Sequence, residues 1–203
     1  YISFVDLIVS APNDFFKAVS KGVEHVSGIY GGKDFALAFG GNEMPGYHTG
    51  PGAHIGFLIG ARHSHLDCAG YSLDQKVLVK ENLSPREVAR RLLEEERWRQ
   101  ILSSLVVCFF ARGIYKPDVV CRALSLVGFD LSEDDLREIG MEIHKAKYNF
   151  KIDNGFSLEN IRIPGRILET PTPVGRLEEK AIREALRLVW EEVRGESSLY
   201  KRA

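Results

Sequence analysis

The sequence predicts a mainly α, multihelical fold with a small glycine-rich, partly extended element near the N-terminus. Ser84–Glu87 reads Ser-Pro-Arg-Glu, a capping box with proline at the first helical position. Apolar residues recur at helical spacing between residues 176 and 194. Residues 28–50 are instead rich in glycine and contain a strand-like stretch, Phe35–Phe39. Helices should therefore dominate after residue 50.

Caps, prolines and apolar spacing place the individual helices. The predicted helices span about Pro12–Val26, Pro51–Arg62, Ser84–Arg99, Trp98–Ala111, Pro117–Val127, Ser132–Asn149 and Arg176–Arg194. The Trp98–Ala111 segment continues its predecessor or follows a kink, and it is apolar on nearly every side. It is therefore predicted to be buried. His63–Gln75 is polar and is predicted to be an irregular loop.

Composition excludes several classes of protein. The 203 residues, 44% hydrophobic and 27% charged, suit a soluble globular protein of one large or two small domains. A formal net charge of −1 without a basic tract gives no footprint for nucleic acid or a membrane surface. The longest apolar run near Cys108 is roughly ten residues, against about 20 for a membrane span. No secretory signal opens the chain, and three widely spaced cysteines make no disulfide framework, so a cytoplasmic location is expected. The absence of an initiator methionine predicts a fragment.

Side chains capable of chemistry are densest just after the second predicted helix. Arg62, His63, His65, Asp67 and Cys68 occur within seven residues. Composition alone favours a solvated loop, and the spacing matches no structural zinc site. Either histidine could serve as a proton donor or acceptor, because imidazole titrates near neutral pH. These alternatives stay open at the level of residues.

Cys108 lies alone in the most apolar segment. A lone thiol on a helix is usually inert packing. An iron–sulfur cluster needs four thiolates, and the chain has only Cys68 and Cys121 besides, the latter on an apolar helix face. Cys108 is therefore either a core residue or the last ligand of a site whose other ligands lie outside this chain. The pairs Gly31-Gly32 and Gly40-Gly41 match no phosphate-binding loop and are predicted to be tight turns.

Four groups of residues, in the same order, resemble the tungsten-containing aldehyde ferredoxin oxidoreductases. They cover most of the chain, from about Phe15 to Pro171. The matching segments are Gly28–Ala36 with Asn42–Tyr47, Gly60–Leu66 with Ala69–Gln75, Ser103–Cys108, and Tyr148–Lys151 with Gly155-Phe156 and Ile163–Arg166. The third segment is similar to the family's Asp-x-x-Gly-Leu-Cys motif.

The resemblance implies an enzyme that oxidises aldehydes to carboxylic acids. In that family, tungsten is held by two pyranopterins and electrons pass through one [4Fe-4S] cluster to ferredoxin. Residues 1–50 would be the end of the second helical domain with a glycine-rich connection, 51–195 the third helical domain, and 196–203 a tail. An N-terminal cofactor-binding domain or subunit, ferredoxin and the aldehyde are the implied partners. We expect the chain alone to bind no cofactor, to be inactive, and to expose apolar surface at Tyr1–Val9 and near His63 that could form a homodimer.

The resemblance also assigns site residues. Cys108 corresponds to the fourth ligand of the cluster, whose other three ligands lie upstream of this chain. His65 falls nearest the family's active-site histidine, and His63 is the second choice because the loop is one residue short. Arg62 corresponds to an arginine that contacts a pterin phosphate, and Val107 is the other implied cofactor-binding residue.

Three residues depart from the family pattern. Ser103 replaces a pterin-binding aspartate, and Val106 replaces a glycine beside the cofactor. Asp67 replaces a basic residue two positions after the catalytic histidine. These changes favour an alternative function, in which a divergent, cofactor-free helical domain serves as an interaction module or partner subunit.

Overall fold

The computed structural model describes residues 2–195, and the fold is mainly α and multihelical, as predicted. The described α-helices are α1 (Ile2–Ser10), α2 (Asp14–Val19), α3 (Val23–Tyr30), α4 (Pro51–Ile59), α5 (Gly70–Leu73), α6 (Pro85–Ser104), α7 (Pro117–Ser125), α8 (Glu133–Asp153), α9 (Gly165–Glu169) and α10 (Glu179–Val193). Strands β1 (Ala38–Phe39) and β2 (Asn42–Glu43) pair antiparallel. No helix among residues 2–195 is both long and apolar enough to cross a membrane.

The extended element is a small hairpin whose turn depends on glycine. Gly40 and Gly41 join the strands with φ of +57° and +81°, conformations in which glycine carries no steric cost. Gly31 and Gly32 also have positive φ, 89° and 88°. Both predicted tight turns are therefore confirmed.

The main core lies where α4, α6 and α10 meet. Ile182, Leu186 and Val189, three of the residues predicted to share one face of α10, are each 2% exposed or less. The core cluster also contains Phe39, Ile55, Leu58, Val88, Leu92, Leu93, Tyr148 and Ile167. A second, smaller cluster of Ile101, Val120 and Leu136 joins α6 to α7 and α8.

Local capping explains why α6 and α8 begin where predicted. The Ser84 hydroxyl accepts the Glu87 N–H at 3.3 Å, and Ser132 forms a reciprocal capping box with Asp135. Such caps satisfy backbone N–H groups that have no partner within the helix. The two longest helices are thus fixed at their N-termini by signals that are visible in the sequence.

The helix predicted over Pro12–Val26 is wrong as a single element. Two short helices, α2 and α3, replace it, because Gly22 adopts φ of +91° between them. The predicted loop His63–Gln75 is also partly wrong, since it contains α5 and the start of a π-helical turn, Asp74–Leu78. The buried Asp74 carboxylate accepts the N–H groups of Gly52 and Ala53 at 2.8 and 2.9 Å, which ties that turn to the start of α4.

The burial predicted for Trp98–Ala111 is wrong at its C-terminal end. Helix α6 stops at Ser104, and Val106 takes a left-handed φ of +57°. The chain then leaves the core, so that Val106 is 90% and Phe110 100% exposed. Apolar composition without a continuous helix does not enforce burial.

Apolar surface is exposed at the N-terminus, as predicted. Ile2 and Val9 of α1 are 79% and 80% exposed, and α1 contributes no buried residue. Tyr1 and the predicted tail, 196–203, lie outside the described residues. The division of the chain into domains at residue 50 stays a prediction.

Candidate functional site

The loop between α4 and α5, residues 60–69, carries most of the predicted site residues, and we call it the histidine loop. It begins where α4 ends, at Gly60. His63 and Ala69 both adopt positive φ, 51° and 47°. Non-glycine residues rarely take this conformation, and they persist in it where surrounding contacts over-determine the backbone.

Side chains from α6 and α8 hold the start of this loop. The Tyr148 hydroxyl donates to Ile59 O at 2.6 Å, and the Lys151 ammonium donates to Gly60 O at 2.9 Å. The Glu96 carboxylate accepts the Ala61 N–H at 2.8 Å. Three consecutive backbone positions are therefore fixed by buried or half-buried side chains of other helices.

Glu96 is a buried carboxylate that lies close to a histidine and accepts a backbone N–H group. It is 2% exposed, and its Oε2 lies 3.4 Å from Nε2 of the equally buried His144. Burial raises the pKa of Glu96, but the hydrogen bond and charge of His144 and the Ala61 N–H outweigh it, so the pKa is lowered overall. The carboxylate is thus ionised at neutral pH and serves as an anchor for the loop.

Asp67 turns inward and fixes Arg62. Its carboxylate accepts Arg62 N at 3.0 Å, Arg62 Nε at 2.8 Å and Ser64 N at 3.1 Å. Asp67 is 2% exposed, whereas the Arg62 side chain is 51% exposed. Among residues 2–195, the terminal amino groups of Arg62 have no hydrogen-bond partner. Asp67 therefore orients a guanidinium whose outer donors can bind a ligand.

His65 stands beside two tyrosines. Its ring centroid lies 5.3 Å from that of Tyr47, and Tyr47 stacks on Tyr71 with centroids 4.6 Å apart. Burial and the positive charge of Arg99 lower the pKa of His65. The imidazole is therefore neutral at neutral pH and can accept a proton.

His63 is occupied by packing contacts. Its Nδ1 lies 3.0 Å from Phe57 O, and because a carbonyl only accepts, Nδ1 carries the proton. The ring packs on Phe156 at 5.6 Å, and a Cβ added to Gly40 would lie 2.5 Å from its Nε2. Burial, with the charge of Lys151, lowers the pKa of His63. This enclosed position leaves His65 better placed than His63 to exchange a proton with a bound substrate.

Arg99 of α6 connects the histidine loop to the turn that carries Cys108. Its Nη1 donates to Leu66 O at 2.6 Å and its Nε to Glu95 Oε1 at 2.8 Å. The guanidinium carbon also lies 5.2 Å from the centre of the Phe109 ring. His65 and Cys108, 43 residues apart in the sequence, therefore belong to neighbouring segments.

Cys108 is exposed, so its interpretation as a core residue is wrong. It follows the left-handed Val106 and the half-buried Val107, and it precedes a 3₁₀ helix, Phe109–Ile114. We call residues 105–108 the cysteine turn. The left-handed turn after α6 directs the chain outward, which leaves Cys108 exposed.

The described part of the chain offers one accessible thiol and no complete metal site. No group of three or more His, Cys, Asp or Glu residues within residues 2–195 could hold a metal ion. Cys68 is buried and Cys121 is half-buried beside the second core cluster.

Comparison with known protein families identifies the family to which this chain belongs. The family model described as "Aldehyde ferredoxin oxidoreductase, domains 2 & 3" matches residues 2–195. The chain belongs to this family. No curated protein and no solved structure matches the chain.

Membership in the aldehyde ferredoxin oxidoreductase family allows the fit of its pterin cofactor to be tested on these residues. The outward donors of Arg62 suit a phosphate. Arg99 is 2% exposed, and its Nη2 is buried without a partner within residues 2–195. Ser103 is exposed and provides no carboxylate for pterin N–H groups. The phosphate end of the cofactor therefore fits this chain better than the pterin ring does.

Sequence reasoning missed the residues that hold the loop. Glu96 and Arg99 contact residues far away in the sequence, and no local spacing marks them. Tyr47, Tyr71 and Tyr148 lie inside segments that resemble the family, so their place in a family motif could have singled them out. A charged residue on the inner face of α6, such as Glu96, is the only other local signal.

Proposed function

We propose that this chain forms the C-terminal part of a tungstopterin, iron–sulfur enzyme that oxidises an aldehyde to a carboxylic acid. Family membership over residues 2–195 supports the oxidoreductase context. The main structural support is that Arg99 contacts two separate segments. Its Nη1 donates to Leu66 O at 2.6 Å, and its guanidinium carbon lies 5.2 Å from the centre of the Phe109 ring. These contacts link the loop that carries Arg62 and His65 to the turn that carries the exposed Cys108, which supports a site shared by the two segments.

Each site residue then has a chemical task. Arg62 would bind a pterin phosphate through its terminal amino groups, and Val107 would lie against the pterin. Cys108 would give one thiolate to a [4Fe-4S] cluster, and the N-terminal cofactor domain or subunit would give three. When bound, the metal and cluster would accept the two electrons of aldehyde oxidation and pass them to ferredoxin.

His65 would act as the general base that takes up a proton from the substrate. Converting an aldehyde and water to a carboxylic acid releases two electrons and two protons, so a base must take up a proton near the carbonyl. Its lowered pKa favours the unprotonated imidazole at neutral pH, and the ring lies against the stacked pair of Tyr47 and Tyr71. The reaction therefore needs the neutral ring that this environment favours.

The proposal is tested on the complete enzyme, obtained by expressing this chain with the polypeptide that carries the N-terminal cofactor domain. Aldehyde-dependent reduction of ferredoxin should fall by about a hundredfold or more in His65→Asn, the range for loss of a general base. The exposed His25 on α3 provides a matched control, and His25→Asn should keep full activity. Equal activity of the two variants would contradict the role of His65.

A cofactor-free interaction module is the second candidate function, and Ser103 with Val106 favours it. Ser103 lacks the family's carboxylate, and Val106 places a branched side chain where the family has glycine. Metal analysis and the visible spectrum of the same complex decide between the candidates. A brown complex with stoichiometric iron and tungsten supports the enzyme, and a colourless, metal-free complex supports the module.

A further inference from the structure

Positive charge is only partly compensated around the histidine loop. Asp67 pairs with Arg62, and Glu96 pairs with His144. Lys147 of α8 is half-buried, yet no carboxylate of the described residues lies within ion-pair distance of it. Its ammonium instead donates to Gln100 Oε1. A half-buried cation without a counter-ion is unusual, because burial disfavours an unpaired charge.

Residues next to Lys147 and next to its acceptor Gln100 contact the start of the histidine loop. Lys147 directly precedes Tyr148, whose hydroxyl donates to Ile59 O at 2.6 Å. Its acceptor Gln100 lies one helical turn after Glu96, which accepts the Ala61 N–H at 2.8 Å. Both helices that position Lys147 thus contact the backbone just before Arg62.

The electrostatics agree with this placement. Burial and then the charge of Arg62 lower the pKa of Lys147, while Asp67 and Glu96 act in the opposite direction. The charge of Arg62 therefore acts unfavourably on the Lys147 ammonium. Such repulsion is relieved when an anion binds between them.

We propose that Arg62 and Lys147 together form a binding site for a phosphate or pyrophosphate group. The guanidinium offers its two terminal amino groups, and the ammonium has two N–H donors left after its bond to Gln100. Lys147 thereby adds a second positive charge to a site in which the Arg62 guanidinium is already paired with Asp67. The inference rests on the proposed function only for the identity of the molecule that carries the phosphate.

Binding of inorganic pyrophosphate to the 203-residue chain tests the site at low ionic strength, by calorimetry and by NMR of the lysine side chains. We expect Lys147→Gln and Arg62→Gln each to weaken binding by about tenfold or more, the effect of losing a charge-assisted hydrogen bond. Lys147→Arg keeps the charge and should retain most of the affinity. Pyrophosphate should also raise the pKa of Lys147, because an anion favours the charged form.

Lys145 is the matched control, because it lies on the same helix, is exposed and belongs to no ion pair of the described residues. Lys145→Gln should bind pyrophosphate like the unaltered chain. Equal weakening by Lys145→Gln and Lys147→Gln would overturn the proposal, as would unchanged binding in a folded Lys147→Gln variant. Circular dichroism and urea unfolding confirm that each variant folds.

This measurement separates the site from the redox function, since it needs neither tungsten nor a cluster. Pyrophosphate binding by the chain, together with a metal-free complex, would refute the enzyme and leave the oxyanion site standing. A metal-loaded, active complex whose Lys147→Gln chain binds pyrophosphate normally would refute the oxyanion site alone.

Discussion

Replacing Val106 with glycine should stabilise the protein by about 1 kcal/mol. Val106 adopts φ of +57° with its side chain 90% exposed. A left-handed backbone costs a residue with a Cβ about 1–2 kcal/mol, and β-branched residues fit it least well. Glycine removes that cost but gains about 0.4–1 kcal/mol of conformational freedom in the unfolded chain. The exposed side chain contributes little packing, so the difference favours the variant.

Urea unfolding at pH 7, followed by circular dichroism, measures this change. The midpoint should rise without a change in slope, and the melting temperature should rise by about 2–4 °C. Val107→Gly is the matched control, because the neighbouring valine is half-buried and does not have positive φ. The control should lose about 1 kcal/mol or more. A Val106→Gly variant that is no more stable, or a control that is equally stabilised, would refute the assignment of strain to Val106.

Three further predictions follow from buried groups and from the accessible thiol. Burial lowers the pKa of His54 to about 3. The unfolded chain therefore binds the proton more tightly, and the free energy of unfolding should fall as the pH drops below 6.5, with a slope that approaches about 1.4 kcal/mol per pH unit. Urea unfolding at pH 6.5 and 5.5 should show a loss of about 1 kcal/mol in the free energy of unfolding from this group, and His54→Gln should reduce the loss. Gly70→Ala should cost about 3 kcal/mol, because the added Cβ would lie 1.9 Å from Gly52 O; melting curves check this. Iodoacetamide should label Cys108 in the native chain and leave the buried Cys68 unlabelled. Mass spectrometry of peptides measures the extent of labelling at each cysteine, and equal labelling of the two would contradict this prediction.

Elements with local signals could be predicted from the sequence. α6 and α8 begin at serine caps, and α10 carries apolar residues at helical spacing, so hydrogen bonding and burial within a few residues determine them. The exposure of Cys108 could not be predicted in this way. It depends on a single left-handed residue, Val106, and no composition rule marks a valine for that conformation.

The candidate site was predictable as a set of residues but not as an arrangement. Arg62, His63 and His65 were marked by their chemistry and by resemblance to the family. Their different surroundings depend on contacts made far along the chain, such as that of Tyr148 with Ile59 O at 2.6 Å. Asp67 shows the consequence, because a residue that looks like an unfavourable charge reversal in sequence is the internal anchor of Arg62.

The iron content of the complete enzyme with Cys108→Ser tests the central claim most directly. Purified complexes with the unaltered chain, with Cys108→Ser and with Cys121→Ser would be compared by iron analysis and by electron paramagnetic resonance after reduction. Cys108 should be a ligand of the cluster, so its serine variant should lose the [4Fe-4S] signal and most of the iron, whereas Cys121→Ser should keep both. A Cys108→Ser complex with an unchanged cluster would contradict the account.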